Sequence, residues 1–320
     1  MHLGMIGLGR MGLGLAARLL KTGHTVVGTD RNADTVADLV TTGGQAANDV
    51  ASLAGALSAG PRAFWMMVPA GAPVDGVLAE LGPHLRAGDV VIDGGNSFYQ
   101  DSQRRAAALG EAGIAYLDVG VSGGIWGEEN GFCLMVGGDA EAAERLRPLF
   151  EALAPAPDKG WAYVGPSGAG HFTKMVHNGI EYGLMEAYAK GFALMKAKTE
   201  FDLDLAQVAA LWQEGGVIRS WLLGLAGRAL ATDGTLEHIQ PVVADSGMGR
   251  WTSMEAIALG VPLPVLTLAL HERFTSRDAV GFAHRLLAAL RHEFGGHAIV
   301  STPARDPVAE APPGAPAVHD

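Results

Sequence analysis

Cations and cysteine are scarce in this 320-residue chain. Lys and Arg number 23 against 34 Asp and Glu, a formal net charge of −11, which argues against a nucleic-acid or anionic-membrane partner. Any anionic substrate must then meet positive charge that is concentrated locally. Cys133 is the only cysteine, so no internal disulfide can form, which fits a reducing compartment. CxxC and HExxH spacings are missing, and no metal site is expected. Long apolar runs are missing too. The stretch from Ile257 to Leu270 is broken by Pro262 and Pro264 and is too short to span a bilayer. Met1-His2 leads directly into a strand-like run without a basic segment ahead of it, so the expectation is a cytoplasmic protein.

Glycine is what the chain has in excess, with 45 residues, many where backbone must turn tightly or approach a ligand. At 48% hydrophobic and 18% charged the chain reads as globular, with length enough for two domains. His2 to Ile6 reads as a short buried strand, followed by Gly7-Leu8-Gly9-Arg10-Met11-Gly12 and a helix to about Thr22. In that context Gly7 permits the tight turn, Gly9 lets a pyrophosphate approach the backbone and Gly12 allows close strand–helix packing. A second strand, Thr25 to Thr29, ends at Asp30, where a carboxylate suits the free ribose hydroxyl of NAD and repels the extra phosphate of NADP. Arg31 beside it would partly reverse that preference, so NAD with possible NADP use is left open.

Strand–helix alternation continues through Ala63–Val68, Val74–His84, Asp89–Asp93, Gln100–Leu109 and Ile114–Asp118. The fold class this predicts is an α/β Rossmann-type N-terminal domain with a doubly wound, mostly parallel sheet. Ligands of such sheets bind beyond the carboxyl ends of the strands. Those ends carry Val68-Pro69, Gly94-Gly95-Asn96-Ser97 and Val121-Ser122-Gly123-Gly124. Asn96 can donate and accept, and Ser122-Gly123-Gly124 offers a hydroxyl and backbone N–H groups suited to a carboxylate, although an ordinary strand reversal would look the same. A strand over Phe132–Val136, a helix over Ala140–Leu153 and a strand over Trp161–Val164 would close this domain at residue 166. Beyond it the pattern is helical only, with helices expected at Ala169–Lys198, Leu205–Trp212, Ile218–Leu230, Val242–Leu259 and Leu263–Leu290. This is an all-α C-terminal domain, 167–300, of a kind that often self-associates, and 301–320, with five prolines, reads as a disordered tail.

The stretch Gly168 to Tyr182 holds the chemistry. On a helix at about 100° per residue, Lys174, His177, Asn178 and Glu181 share an arc about 100° wide. Met175, Val176 and Ile180 fall on the opposite side, as a buried anchor. Lys174 and Glu181 are two turns apart, about 10 Å, so one small molecule could touch both, with the amine as base for one step and the carboxyl as acid for another. The same residues would also suit a solvated helix with ordinary i,i+4 pairs. Elsewhere, His271, His284 and His292 read as surface or satisfied histidines, Met66-Met67 and Met185 as packing, and Cys133 as a buried thiol in an apolar strand.

The chain resembles the 6-phosphogluconate dehydrogenase family of the β-hydroxyacid dehydrogenases. The resemblance rests on the glycine fingerprint, Gly94 to Ser97, Val121 to Gly124, Gly168 to Tyr182, and Arg291-His292-Glu293-Phe294-Gly295-Gly296-His297. It implies an oxidative decarboxylation in which Lys174 is the general base and Glu181 the general acid. Asn96, Ser122, Gly123, Gly124, His177 and Asn178 would touch the sugar acid, and Tyr182, Arg250, Thr252 and Arg277 its phosphate. Arg291 and His297 would enter the site of a neighbouring subunit in a homo-oligomer, a dimer or tetramer. Gly7, Gly9, Met11, Gly12, Asp30, Arg31, Val68 and Asn96 would hold the cofactor. The chain is shorter than the usual enzyme, which implies the short-chain branch, and Asp30-Arg31-Asn32 replaces the usual NADP-selecting Asn-Arg-Thr. A non-decarboxylating β-hydroxyacid dehydrogenase and a turnover-free dinucleotide sensor are the competing readings.

Overall fold

The computed structural model describes residues 1–57, 61–296 and 298–300. His297 and the tail expected at 301–320 lie outside them. The described residues contain the strands β1 (His2–Ile6), β2 (Thr25–Thr29), β3 (Gln45–Ala46), β4 (Ala63–Met66), β5 (Val90–Asp93), β6 (Ala115–Ser122), β7 (Cys133–Gly138) and β8 (Trp161–Gly165). They form one sheet in the order β3-β2-β1-β4-β5-β6-β7-β8. Every pair is parallel except β6 with β7. That reversal follows from the connection 123–132, which is shorter than the dozen or so residues a parallel crossover needs.

Helices on this half are α1 (Arg10–Lys21), α2 (Ala33–Thr41), α3 (Val50–Ala56), α4 (Ala72–Leu81), α5 (Tyr99–Gly110), α6 (Gly127–Asn130), α7 (Ala140–Arg145) and α8 (Arg147–Leu153). They cover both sheet faces, which is why β4 and, apart from His2 and Asp93 at their ends, β1 and β5 are apolar runs instead of alternating. Leu3, Met5, Trp65 and Leu117 pack with Leu15 and Leu19 of α1 and Phe150 of α8 on one face. Phe64, Met66, Val91 and Tyr116 pack with Leu53 of α3 and Val74 of α4 on the other. The single helix expected over 140–153 is two, because Pro148 cannot donate to the preceding turn.

The remaining helices are α9 (Ala169–Ala197), α10 (Leu205–Gln213), α11 (Trp221–Thr232), α12 (Met248–Leu259), α13 (Pro264–Thr275) and α14 (Phe282–Gly295). Two expectations are corrected here. Residues 242–247 are not helical, because Asp245 bonds Gly247 N and Gly247 turns at φ +87° before α12 begins. The helix expected over 263–290 breaks between α13 and α14, where Asp278 accepts from Gly281 N and Gly281 adopts φ +60°. α9 is the shaft of this half. One small apolar core, with Tyr182 and Leu270, forms against its middle. Another, with Phe192, Leu205 and Leu223, forms near its end.

Candidate active site

The dinucleotide side of the site is built from the β1–α1 turn. Gly7 has φ +95°, and a side chain there would meet the carbonyl of Met67. A side chain at Gly12 would strike the carbonyl of Gly7, so both glycines are fixed by close backbone approach. Gly9 caps α1 without any side-chain bond, and no atom stands within 4 Å of where its Cβ would be. The helix N-terminus is therefore open to an anion. Around it lies a cavity of about 550 Å³ lined by Gly7, Gly9, Asp30, Arg31, Val68 and Pro69. Met11 packs against the sheet core behind this turn. Asp30 Oδ2 accepts from Leu8 N at 2.6 Å and Oδ1 from Asn32 N at 2.8 Å, so the carboxylate also braces the glycine turn. An open helix N-terminus, a carboxylate at the end of β2 and a cavity between them fit a dinucleotide.

At the end of β5 the turn carrying Asn96 is held from beneath by Asp93, which is fully buried. Asp93 accepts from Gly95 N, Ser97 Oγ and Tyr116 Oη at 2.7–2.9 Å, with Arg105 Nη1 at 3.5 Å. Asn96 sits at φ +54°, and its amide clasps Val121, accepting from Val121 N at 3.0 Å and donating to Val121 O at 3.4 Å. The residue expected to touch ligand thus also fixes the strand end that leads into Ser122. Gly123 (φ +137°) and Gly124 (φ +54°) make that turn, and the space around Gly124 is open. Arg18 of α1 secures the next segment by donating to the carbonyls of Glu128, Ala152 and Ala154.

α9 carries the polar cluster, and three glycines dock it on the sheet. Side chains at Gly120, Gly137 or Gly170 would collide with α9 or with the strands beneath it, Gly120 against the Lys174 stem itself. Asp118, fully buried, accepts from Gly168 N at 2.8 Å and His171 N at 2.9 Å and so caps the first turn. Burial pushes its carboxyl above the ordinary range, with His171 and the two N–H groups opposing. His171, also fully buried, pairs through Nδ1 with Ser102 of α5 at 2.7 Å. Asp93, Asp118 and His171 were not singled out in the sequence. Their only signal was an acid or imidazole inside an apolar stretch.

Lys174 follows one turn later and is 5% exposed. It makes no hydrogen bond or ion pair among the described residues, and burial lowers its pKa against the opposing charges of Glu181 and Cys133. His177 Nδ1 lies 3.1 Å from Asn178 Oδ1 and 3.9 Å from Glu181 Oε2. Lys174, His177, Asn178 and Glu181 are thus together on one edge of α9, the amine deep and the other three half-buried. The opposite anchor is not as expected: Ile180 is 49% exposed, and Met175, Gly179, Tyr182 and Gly183 are the buried line. α12 seats at Gly179, where a Cβ would approach Thr252 to 2.8 Å, leaving Ile180 facing outward. Cys133 is likewise exposed instead of buried, next to Ser122 in the β6–β7 register.

The expected phosphate residues converge only in part. Tyr182 Oη accepts from Ser246 N at 3.1 Å, and Arg250 and Arg277 both bond Asp245. Arg273, which the sequence reading passed over, lies 3.4 Å over the Tyr182 ring and donates to Ala244 O. Thr252 is placed differently: its hydroxyl is buried, 2.9 Å from the carbonyls of Met175 and Met248, and joins α12 to α9. Arg291 is exposed on α14.

Residues 2–165 match the NAD-binding domain of 6-phosphogluconate dehydrogenase, and residues 170–300 match the C-terminal domain of the same enzyme. The chain belongs to the 6-phosphogluconate dehydrogenase family. A relative from Haloferax volcanii, named as an NAD(+)-dependent, decarboxylating 6-phosphogluconate dehydrogenase, is 48% identical over 300 residues, covering 93% of this chain and 98% of its own length. A Bacillus subtilis relative, named as an NAD(+)-dependent, decarboxylating 6-phosphogluconate dehydrogenase, is 37% identical over 86% of this chain and 61% of its own length. In structure, 6-phosphogluconate dehydrogenase of Plasmodium falciparum superposes with a TM-score of 0.80 at 28% identity, over 96% of this chain and 67% of that one. A 3-hydroxyisobutyrate dehydrogenase of Salmonella typhimurium gives 0.73 at 26% identity, over 87% and 94%.

Proposed function

We propose that this chain oxidises 6-phosphogluconate and decarboxylates the product, giving ribulose 5-phosphate and CO₂, with NAD preferred over NADP. The observation that carries the reading is Lys174, a buried amine with lowered pKa and no hydrogen-bond or ion-pair partner among the described residues, two turns from a half-buried carboxylate. Such an amine is held ready to be neutral, as a general base must be. It takes the proton of the C3 hydroxyl while NAD, when bound, accepts the hydride. The 3-keto acid that results loses CO₂ without a metal, and protonated Lys174 then donates to the C3 oxygen as negative charge develops there. Glu181 protonates C1 of the remaining enediol.

Asn96, Ser122, Gly123, Gly124, His177 and Asn178 hold the sugar acid in this scheme, and Tyr182, Arg250, Arg273 and Arg277 its phosphate. We assign residues 1–166 to the dinucleotide half and 167–300 to substrate binding and assembly. A homo-oligomer, in which the segment from Arg291 to His297 completes a neighbour's site, is supported by the apolar side chains that α9 and α14 leave exposed. The arginine cluster favours a phosphorylated substrate over the short unphosphorylated acid of a 3-hydroxyisobutyrate dehydrogenase. Nicotinamide reduction with 6-phosphogluconate, measured beside CO₂ release, tests the reading. Stoichiometric CO₂ supports it, and reduction without CO₂ or no reduction with either cofactor overturns it.

A further inference from the structure

Asp245 stands at the centre of the arginine cluster, and no step of the proposed chemistry uses it. Its side chain is 3% exposed. Oδ1 accepts from Gly247 N at 3.1 Å and Arg250 Nε at 2.9 Å, while Oδ2 accepts from Arg250 Nη2 at 3.0 Å and Arg277 Nη2 at 2.6 Å. The Arg250 bonds, more than any other contact, hold its carboxyl down to about 2 against burial. A buried carboxylate is tolerated only when fully partnered, and here each oxygen has two donors. The guanidiniums are in the opposite situation. Arg250 and Arg277 remain 52% and 33% exposed, and each rests over the Phe274 ring, at 4.9 and 5.6 Å. Without the carboxylate, two long side chains at this surface would sample many rotamers, and a bound anion would have to order both.

We propose that Asp245 is a positioning residue that fixes Arg250 and Arg277 into one preassembled plate for a phosphate dianion. This rests on the reading of the cluster as the phosphate subsite. Arg273, stacked on Tyr182, adds a third cation, so three arginines less one aspartate leave +2 opposite a group that carries about −2. Repulsion between Asp245 and the phosphate is the competing effect. It is the smaller one because both carboxylate oxygens are already met by guanidinium N–H groups.

Asp245→Asn keeps the shape and removes the charge. The expected result is a KM for 6-phosphogluconate raised about tenfold, with kcat and the KM for NAD within about twofold of the parent, the split a merely structural residue would not produce. The Kd for inorganic phosphate, titrated by calorimetry, rises in parallel. In a chain already carrying Arg250→Met and Arg277→Met, the same change adds nothing, because an amide oxygen can still accept from Gly247 N and what is lost acts through those two side chains. An unchanged KM overturns the proposal, and a lower KM does so by showing that Asp245 competes with phosphate. Asp245→Ser is read alongside; if both variants lose NAD binding and thermal cooperativity, Asp245 is a scaffold residue and the proposal fails. A parent enzyme inactive on 6-phosphogluconate would refute the substrate reading alone, since the phosphate titration still reports on the plate.

Discussion

The two halves of the chain bury their apolar residues in different ways. The sheet presents two faces, each covered by helices, with one core reaching from β1 to α8 and the other from β1 to β6. Among the described residues the helical half has two small clusters, one against the middle of α9 and one toward its C-terminal end. Between and beyond them Ile180, Leu184 and Leu194 of α9, and Phe282, Leu286 and Leu287 of α14, stay exposed. Apolar patches of that extent on a single chain mark an interaction surface. The sheet half is complete on its own, whereas the helical half has an unfilled share of core. The first turns of α9 sit where the two halves meet, whereas the arginine cluster bonds and stacks on residues of the helical half.

The sharpest break of this contrast is at Lys174. Lys174→Met should reduce turnover by about 10²–10⁴-fold while NAD affinity stays near the parent's; weakened NAD binding would put the lysine in the wrong half of the site. The same variant should be more stable. Burial lowers the folded-state pKa of Lys174 below its ordinary value, so the folded state binds its proton less tightly than the unfolded chain. That penalty is fully present below the folded pKa and disappears as pH rises through the unfolded value near 10.5. Removing the amine should therefore raise the melting temperature at neutral pH, and less so in alkali. For turnover the sign is opposite to a group needed charged: as pH falls through the lowered lysine pKa, kcat/KM should decline with it.

Gly170→Val probes the joint between the halves. Its side chain would enter space held by the carbonyls of Asp118 and Met135, at a cost of about 1–3 kcal/mol, and α9 would have to lift away from the sheet. A drop in melting temperature together with lost turnover is expected, and normal turnover would mean the glycine docking does not place the amine. Leu286→Glu with Leu287→Glu tests the unfilled half. Light scattering should show a smaller assembly, and the KM for substrate should rise, with little effect on NAD binding. A variant that assembles normally would leave those side chains as plain surface. The mildest effect is expected from Asp30→Ala. NAD should weaken by about 1–2 kcal/mol, a loss on the scale of one charge-assisted hydrogen bond, and NADP by less. Equal weakening would reduce Asp30 to its structural bonds with Leu8 and Asn32.

The sheet half was legible because its strands are short apolar runs and its turns are marked by glycine. The polar edge of α9 was legible because four polar residues recur on one side of a 3.6-residue repeat. What escaped was long-range. Asp93 and Asp118 are ordinary letters in apolar strands until Ser97, Tyr116 and the first turn of α9 are folded against them. Arg273 looked like one more charge on α13 until its guanidinium was found over Tyr182. The exposure of Ile180 was misjudged because helical periodicity tells which residues share a side but not which side meets α12. The antiparallel β7 depended on a connection length, and the helix breaks on Asp245 and Asp278 bonding back to nearby backbone.

The 29 residues of α9 give it a length of about 44 Å at 1.5 Å per residue. It is clamped at its first turn by Asp118 and the glycine contacts, and Lys174 lies close to that fulcrum. A tilt of about one degree would carry the far end by roughly 0.8 Å on that length, yet shift the lysine backbone by only about 0.1 Å. Rearrangement of α10 and α11, or of a neighbouring subunit against them, is thereby attenuated before it reaches the amine. The amine can keep its place while the distant end of its own helix moves.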